Sequence, residues 1–168
     1  MIHSHRHNRL GWHELGMLEA ILISERSPDP NTQVGCCLID QNMIQIGKGY
    51  NGAPRGMDLD AMPWGREGNP EDTKYPYVVH AEVNCILNTS APTKGSFMYC
   101  TLFPCNECMK FIISAQVGLL YYMEDKYADL WSTKVAKRMA SAVDLPCLQY
   151  KPSQNAIDLL IERLRKVR

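Results

Sequence analysis

A layered α/β domain is the fold class that this sequence predicts, and three observations carry it. Segments with strand-type and helix-type patterning alternate along the chain, most clearly after residue 78. The 168 residues suffice for one substantial core and fall short of two ordinary domains, so 1–168 reads as a single domain. No apolar run approaches the ~18 residues needed to span a bilayer, and the polar start lacks the apolar stretch of a secretory signal. A soluble, cytoplasmic protein without membrane partners is the expectation.

Each element has its own signal. Trp12 to Arg26 reads as an amphipathic helix, with Leu15, Leu18 and Leu22 at helical spacing and Met17 and Ile21 widening the apolar face. Ser27-Pro-Asp-Pro30 stops it. Val34 to Ile39 and Met43 to Tyr50 are runs of strand formers around the turn-like Asp40-Gln-Asn42, a predicted hairpin. Gly52 to Tyr77 has repeated Gly and Pro with little periodicity and reads as a long irregular segment, a type that tends to be functional. Helix over Val79–Asn88, strand over Phe97–Leu102, helix over Cys105–Ala115 and strand over Val117–Met123 follow. A helix over Leu130–Val143, a short strand over Cys147–Lys151 and a helix over Ser153–Val167, capped by Ser153, complete the chain.

Eighteen basic and eighteen acidic residues give zero formal net charge, without the excess expected of a protein that tracks a phosphate backbone. A small substrate fits better than nucleic acid. Seven cysteines with no secretion signal argue against a disulfide framework. Cys36, Cys37, Cys85 and Cys100 sit in apolar runs and read as small buried hydrophobes. His3, His5 and His7 alternate, but in a stretch, 1–10, that reads as a mobile tail rather than a built metal site.

The chemistry concentrates in two clusters. His80-Ala-Glu82 starts one predicted helix, and Pro104-Cys-Asn-Glu-Cys108 starts another directly after a strand. Cysteines three apart on a helical turn face the same way, so Cys105 and Cys108 can converge on one ion with His80 as a third ligand. Zn²⁺ suits that mixed nitrogen and sulfur set. A structural site closes its tetrahedron with four protein ligands, whereas three leave a position where water is acidified toward neutrality. Helix N-termini also favour thiolate over thiol. Glu82 lies roughly 200° around an ideal helix from His80, which suits a proton carrier flanking the cavity better than a ligand. The Cys-x-x-Cys alone would equally suit a redox pair. Joined to His80, Glu82 and Pro104 it gives the H-x-E and P-C-x-x-C signature of zinc deaminases, in which the Glu moves protons to the ring nitrogen and the departing amine.

At these residues the chain resembles the deoxycytidylate (dCMP) deaminase family. The resemblance runs through Asp29-Pro-Asn-Thr-Gln-Val-Gly35, Gly49-Tyr-Asn-Gly52, Asp72-Thr-Lys-Tyr-Pro-Tyr77, His80-Ala-Glu82, Leu102-Phe-Pro-Cys-Asn-Glu-Cys108 and Asp125-Lys-Tyr127. It implies a three-layer α/β/α cytidine-deaminase-like fold with a mixed five-stranded sheet, hydrolysis of dCMP to dUMP and ammonia, and a homohexamer. It also implies substrate contacts from Asn51 and Ala81, with Arg26, Lys126 and Tyr127 around the 5′-phosphate. Control by dCTP as activator and dTTP as inhibitor would act near Gly49, Tyr50, Gly52 and Arg55. Glu107 serves either as a base-edge contact or as a helix-start charge, and Phe103 and Tyr50 either stack on the pyrimidine or belong to the core. Trp64-Gly-Arg-Glu-Gly68 is idiosyncratic, and Gln116 stands where many members have glycine. Two other readings remain: a deaminase of bases in single-stranded nucleic acid, and a non-catalytic zinc-stabilised nucleotide-binding protein.

Overall fold

The computed structural model describes residues 9–167, so His3, His5, His7 and most of the expected tail lie outside the described residues. The element order is α1 (Trp12–Ser24), β1 (Gly35–Ile39), β2 (Gln45–Tyr50), α2 (Ala81–Leu87), β3 (Phe97–Leu102), α3 (Asn106–Ser114), β4 (Leu119–Glu124), α4 (Trp131–Ala142), β5 (Cys147–Gln149) and α5 (Gln154–Arg165), with a 3₁₀ turn at Pro70–Asp72. The strands form one mixed five-stranded sheet in the order β2-β1-β3-β4-β5. β1 pairs antiparallel with β2 and β3, while β3, β4 and β5 run parallel. Each parallel pair is joined through a helix, as parallel strands require.

Side-chain alternation along the central strands sorts the core into two halves. Cys36, Leu38, Met98, Cys100 and Leu120 meet Ala81, Cys85, Met109, Ile112 and Ala136, from α2, α3 and α4, on one face. Cys37, Ile39, Tyr99 and Tyr121 meet Met17 and Ala20 of α1 on the other. The expected three layers are therefore present. β1 is buried along its whole length, which explains why its sequence is continuously apolar and small. The hairpin forms as expected, though β2 begins at Gln45 because Met43 takes a left-handed backbone (φ 63°) and the Asp40 carboxylate accepts from the Asn42 and Ile44 N–H groups at 2.9 and 2.8 Å. Ser153 caps α5 by accepting from Ala156 N–H at 3.1 Å.

The helix α1 departs from the expectation in length and in face. It ends at Ser24, and Glu25 and Arg26 form a closing turn ahead of Pro28. Gly16, Met17 and Ala20 are buried, whereas Leu22 is 72% exposed and Leu15 and Leu18 are half-buried. Close approach is the reason: a Cβ built on Gly35 would lie 1.9 Å from the Ala20 carbonyl oxygen, so only small residues fit where α1 crosses β1. The same holds on the opposite face, where a Cβ on Gly49 would lie 2.3 Å from Cys85 N and 2.4 Å from Ala81 O of α2. Gln116 sits at φ 55°, so the connection from α3 to β4 keeps the left-handed turn that a glycine would favour and carries its strain.

Two substitutions test these constraints with opposite signs. Gly49→Ala forces β2 away from α2 and should cost about 1–3 kcal/mol, read as a lower midpoint in urea. Gln116→Gly relieves the left-handed strain and should raise the melting temperature by about 1–4 °C, part of the relief being lost to unfolded-state entropy. Gly49→Ala at wild-type stability would show that the contact is slack.

Candidate metal centre

The starts of α2 and α3 meet at the end of the sheet. His80 and Cys105 occupy the N-cap positions of α2 and α3 in extended conformation (ψ 156° and 173°), and Cys108 lies in the first turn of α3. His80 Nδ1 stands 3.2 Å from Cys108 Sγ and 3.5 Å from Cys105 Sγ, and one donor atom from each of the three residues lies within 4.8 Å of the others. A tetrahedral zinc with Zn–N of about 2.0 Å and Zn–S of about 2.3 Å would set its nitrogen and sulfur ligands about 3.5 Å apart, so the cluster fits that ion. This is the group among the described residues that meets the requirement for a metal site.

Charge in the cluster is shared. A hydrogen bond from Cys108 draws the Cys105 thiol down to about 4, helped by His80, and the start of α3 favours the same thiolate. The bond with Cys105 in turn pushes His80 up to about 9, while Cys108, as donor to that thiolate and buried, is held well above its ordinary value. Glu82 is 4% exposed, and burial raises its carboxyl against the opposing pull of His80. An acid so raised exchanges its proton closer to neutrality than an ordinary glutamate does.

Beside the cluster opens a cavity of about 310 Å³, walled by His80, Ala81, Glu82 and Cys105 together with Asp29, Thr32, Val34, Asn51, Leu102, Phe103, Tyr127, Thr133 and the loop residues Arg66, Lys74, Tyr75 and Val78. Ala81, Asn51 and Tyr127, expected as substrate contacts, line this cavity. Asn51 has little hydrogen-bonding capacity left for a ligand. Its Nδ2 donates to the Thr32 carbonyl at 2.9 Å and to Asp29 Oδ2 at 3.3 Å, and its Oδ1 accepts from Val34 N–H at 2.7 Å and Ser27 Oγ at 2.8 Å. It shapes the 27–34 loop.

Other expected contacts lie elsewhere. Arg26 is exposed and does not belong to the cavity wall; nor does Lys126, which lies 5.0 Å from the centre of the Tyr127 ring. Glu107 is 64% exposed, ion-paired with Lys110 at 2.6 Å and outside the cavity wall, which fits the helix-start role. Gly49 is pressed against the backbone of α2, and the Tyr50 carbonyl accepts from Asn84 Nδ2 at 2.8 Å. Gly52 bridges to Val79, and Arg55 donates to Asn88 Oδ1 at 2.9 Å on the surface. Phe103 joins the core by standing edge-on to Tyr122, with ring centroids 4.8 Å apart, while one side forms cavity wall; Tyr50 is absent from that wall.

Asp29, Arg66, Lys74 and Tyr75 are among the wall residues with no role assigned from sequence. Lys74 forms a buried ion pair with Asp29, the two side chains being 8% and 2% exposed. The Asp29 carboxylate also accepts from Asn31 N–H at 2.8 Å and Thr32 N–H at 3.3 Å. Burial pushes this carboxyl up, but the Lys74 and Asn31 bonds outweigh it and leave it below its ordinary value of 3.8. The signals were faint: an Asp followed by Pro reads as a turn, and a Lys in an irregular segment reads as a solvated charge.

Comparison with known proteins agrees with this geometry. The family model for the cytidine and deoxycytidylate deaminase zinc-binding region matches residues 10–124. Deoxycytidylate deaminase of Mus musculus is 43% identical over 154 residues, covering 90% of this chain and 86% of that protein. The human deoxycytidylate deaminase is 42% identical over 154 residues with the same coverage. Among solved structures, a dCMP deaminase from the cyanophage S-TIM5 in complex with dCMP and dUMP superposes with a TM-score of 0.64 at 25% identity, covering 82% of this chain and 96% of that one.

The buried pair gives a prediction of its own. Asp29→Asn leaves the Lys74 ammonium buried without a counter-charge and should cost about 3–5 kcal/mol, whereas adding Lys74→Met should recover much of the loss. Because the folded carboxyl lies below its unfolded value, the stability it contributes is present above about pH 4 and is lost as pH falls through the lowered value. Urea unfolding from pH 7 to pH 3 measures both, and additive single and double variants would refute the pairing.

Proposed function

This chain belongs to the cytidine and deoxycytidylate deaminase zinc-binding family, and from that premise we propose that it deaminates dCMP hydrolytically to dUMP and ammonia with zinc held by His80, Cys105 and Cys108. The observation that carries the reading is the His80, Cys105 and Cys108 cluster standing beside a buried Glu82 on one cavity. The identity of 43% to the mouse deoxycytidylate deaminase and the likeness to the dCMP-bound phage enzyme support the substrate.

When bound in that set of ligands, zinc supplies water acidified toward neutrality. The chain's own residues do the rest. Leu102, Phe103, Val34 and Val78 give the cavity apolar walls that exclude bulk water from the pyrimidine. Glu82 holds the proton that leaves the attacking water, delivers it to the ring nitrogen next to the amine-bearing carbon, and hands a proton to the departing amine. Burial favours its protonated state at the moment of delivery. The reaction balances as dCMP plus water giving dUMP plus ammonia.

Control by nucleotides belongs to the same reading. The irregular 52–77 segment joins the Gly52–Val79 bridge and continues into His80, so a ligand bound to it has a short path to the metal centre. dCTP would activate and dTTP inhibit by that path. Exposed Trp12, Leu22, Leu87 and Trp131 support a homo-oligomer, for which we take a hexamer. Zero net charge favours a mononucleotide over a polynucleotide substrate.

Zinc-loaded protein should release ammonia from dCMP and hold about one zinc per chain, and Glu82→Gln should keep the metal while turnover falls by about 10²–10⁴-fold. Retained turnover in that variant removes Glu82 from proton transfer, and metal content with no ammonia from dCMP overturns the substrate. At dCMP below saturation, dCTP should raise the rate and dTTP lower it; flat responses to both would remove the regulatory part alone.

A further inference from the structure

We infer that Arg66, on the long irregular segment, is the residue that holds the 5′-phosphate of the substrate and so selects the nucleotide over the nucleoside; this rests on the dCMP reading above. Four cations come near the cavity, and the structure treats them differently; Lys137, 5.2 Å from the centre of the Phe103 ring, is ion-paired with Asp125 at 2.6 Å. Lys74 lies in the wall, but its charge is cancelled by Asp29 inside the protein. Lys126, exposed as Arg66 also is, leans on the Tyr127 ring outside the wall. Arg66 lies in the wall and makes no ion pair among the described residues.

Arg66 is also held in place. Its Nε donates to the Tyr75 hydroxyl at 3.1 Å, which leaves both Nη groups without a hydrogen bond among the described residues. The backbone on either side is tied down, since Lys74 N–H donates to the Gly65 carbonyl at 2.9 Å, and the buried Lys74 side chain anchors that strand of the segment to Asp29. The guanidinium therefore stands at the cavity with its bidentate edge unpartnered. A phosphate monoester with two charges matches such an edge in geometry and in sign. Tyr127 is also in the wall; burial pushes its hydroxyl up, but the Thr32 bond, Lys126 and Arg66 outweigh it and leave the group below its ordinary value.

The arrangement of the wall points the same way. His80, Glu82 and Cys105 border the same cavity as Arg66. A nucleotide lies there with its base toward the metal centre and its phosphate toward the unpaired cation, so Arg66 orients the substrate as well as selecting its class. Arg66 touches the phosphate and stays away from the reacting carbon.

Steady-state kinetics on dCMP with Arg66→Gln, Arg66→Lys, Arg26→Gln and Lys126→Gln tests this in the zinc-loaded full chain. Arg66→Gln should raise KM by about 10- to 100-fold with kcat within about 3-fold, and Arg66→Lys should fall between it and wild type. Arg26→Gln and Lys126→Gln should shift KM by less than about 3-fold. An unchanged KM in Arg66→Gln overturns the assignment, and so does a KM rise that appears in Arg26→Gln or Lys126→Gln instead. A fall in kcat at unchanged KM, or a lowered melting temperature that accounts for the loss, would make Arg66 a structural residue and equally overturn it. If wild type itself fails to turn over dCMP, the proposed substrate is wrong, a result separable from all of these.

Discussion

The cavity depends on one carboxylate. Two stretches without repeating backbone hydrogen bonds, residues 25–34 and 51–80, have to be held against the same end of the sheet, and every buried polar group in them needs a partner. Asp29 supplies several at once. It binds the Asn31 and Thr32 N–H groups of its own loop, the Asn51 amide at the exit of β2, and the Lys74 ammonium of the long segment. A neutral side chain there would satisfy the first loop and leave Lys74 buried and charged. Burying a pair is not in itself a large gain over apolar residues of the same size. What it provides is register, because only one placement of the 51–80 segment satisfies Lys74, and that placement brings Arg66, Tyr75 and Val78 to the wall.

The metal centre answers to a different constraint, the need to hold anionic sulfur where the core is otherwise apolar. Cys36, Cys85 and Cys100 show what burial alone does: fully enclosed among Leu38, Met98 and Met109, they serve the sheet as small apolar side chains. Burial lifts the thiols of Cys36 and Cys100 above their ordinary value. Cys105 differs because it caps a helix, faces His80 and accepts from Cys108, so its thiol falls to about 4. The same residue type thus serves as core filler one strand away from serving as a ligand. Position at the start of α3, rather than cysteine itself, makes the difference.

That contrast also explains what was legible in the sequence. β3 was readable to the residue because its run of Phe97 to Leu102 is short, apolar and bounded, and the ligand clusters were readable because their spacing is local to two helix starts. The buried stripe of α1 was not, since Leu15, Leu18 and Leu22 outweigh Gly16 and Ala20 in any apolar periodicity, yet the 1.9 Å approach at Gly35 admits only the small residues. The cavity's cation was hidden for a third reason. Asp29 and Lys74 lie 45 residues apart in sequence, and whether a charge is cancelled or free depends on contacts of that range. Arg26 and Lys126 looked equally suitable as charges, and only their placement outside the wall separates them from Arg66.

The molecule divides its labour along the same line. His80, Glu82, Cys105 and Cys108 project from two short helices packed on the sheet, where a shift of an ångström would disturb Gly49 or the Cys85 backbone beneath it. The chemistry is thereby fixed to rigid parts. Arg66 and Tyr75 instead sit on irregular backbone pinned at a few points, among them the Gly65 carbonyl and the Asp29 carboxylate. Substitution or insertion between those pins changes the wall without moving the metal ligands. A family whose members act on both cytidine and deoxycytidylate needs that separation: the hydrolysis of the ring amine is common to both, and the phosphate is not. The charge that tells them apart belongs on the segment that can vary at least cost to the fold.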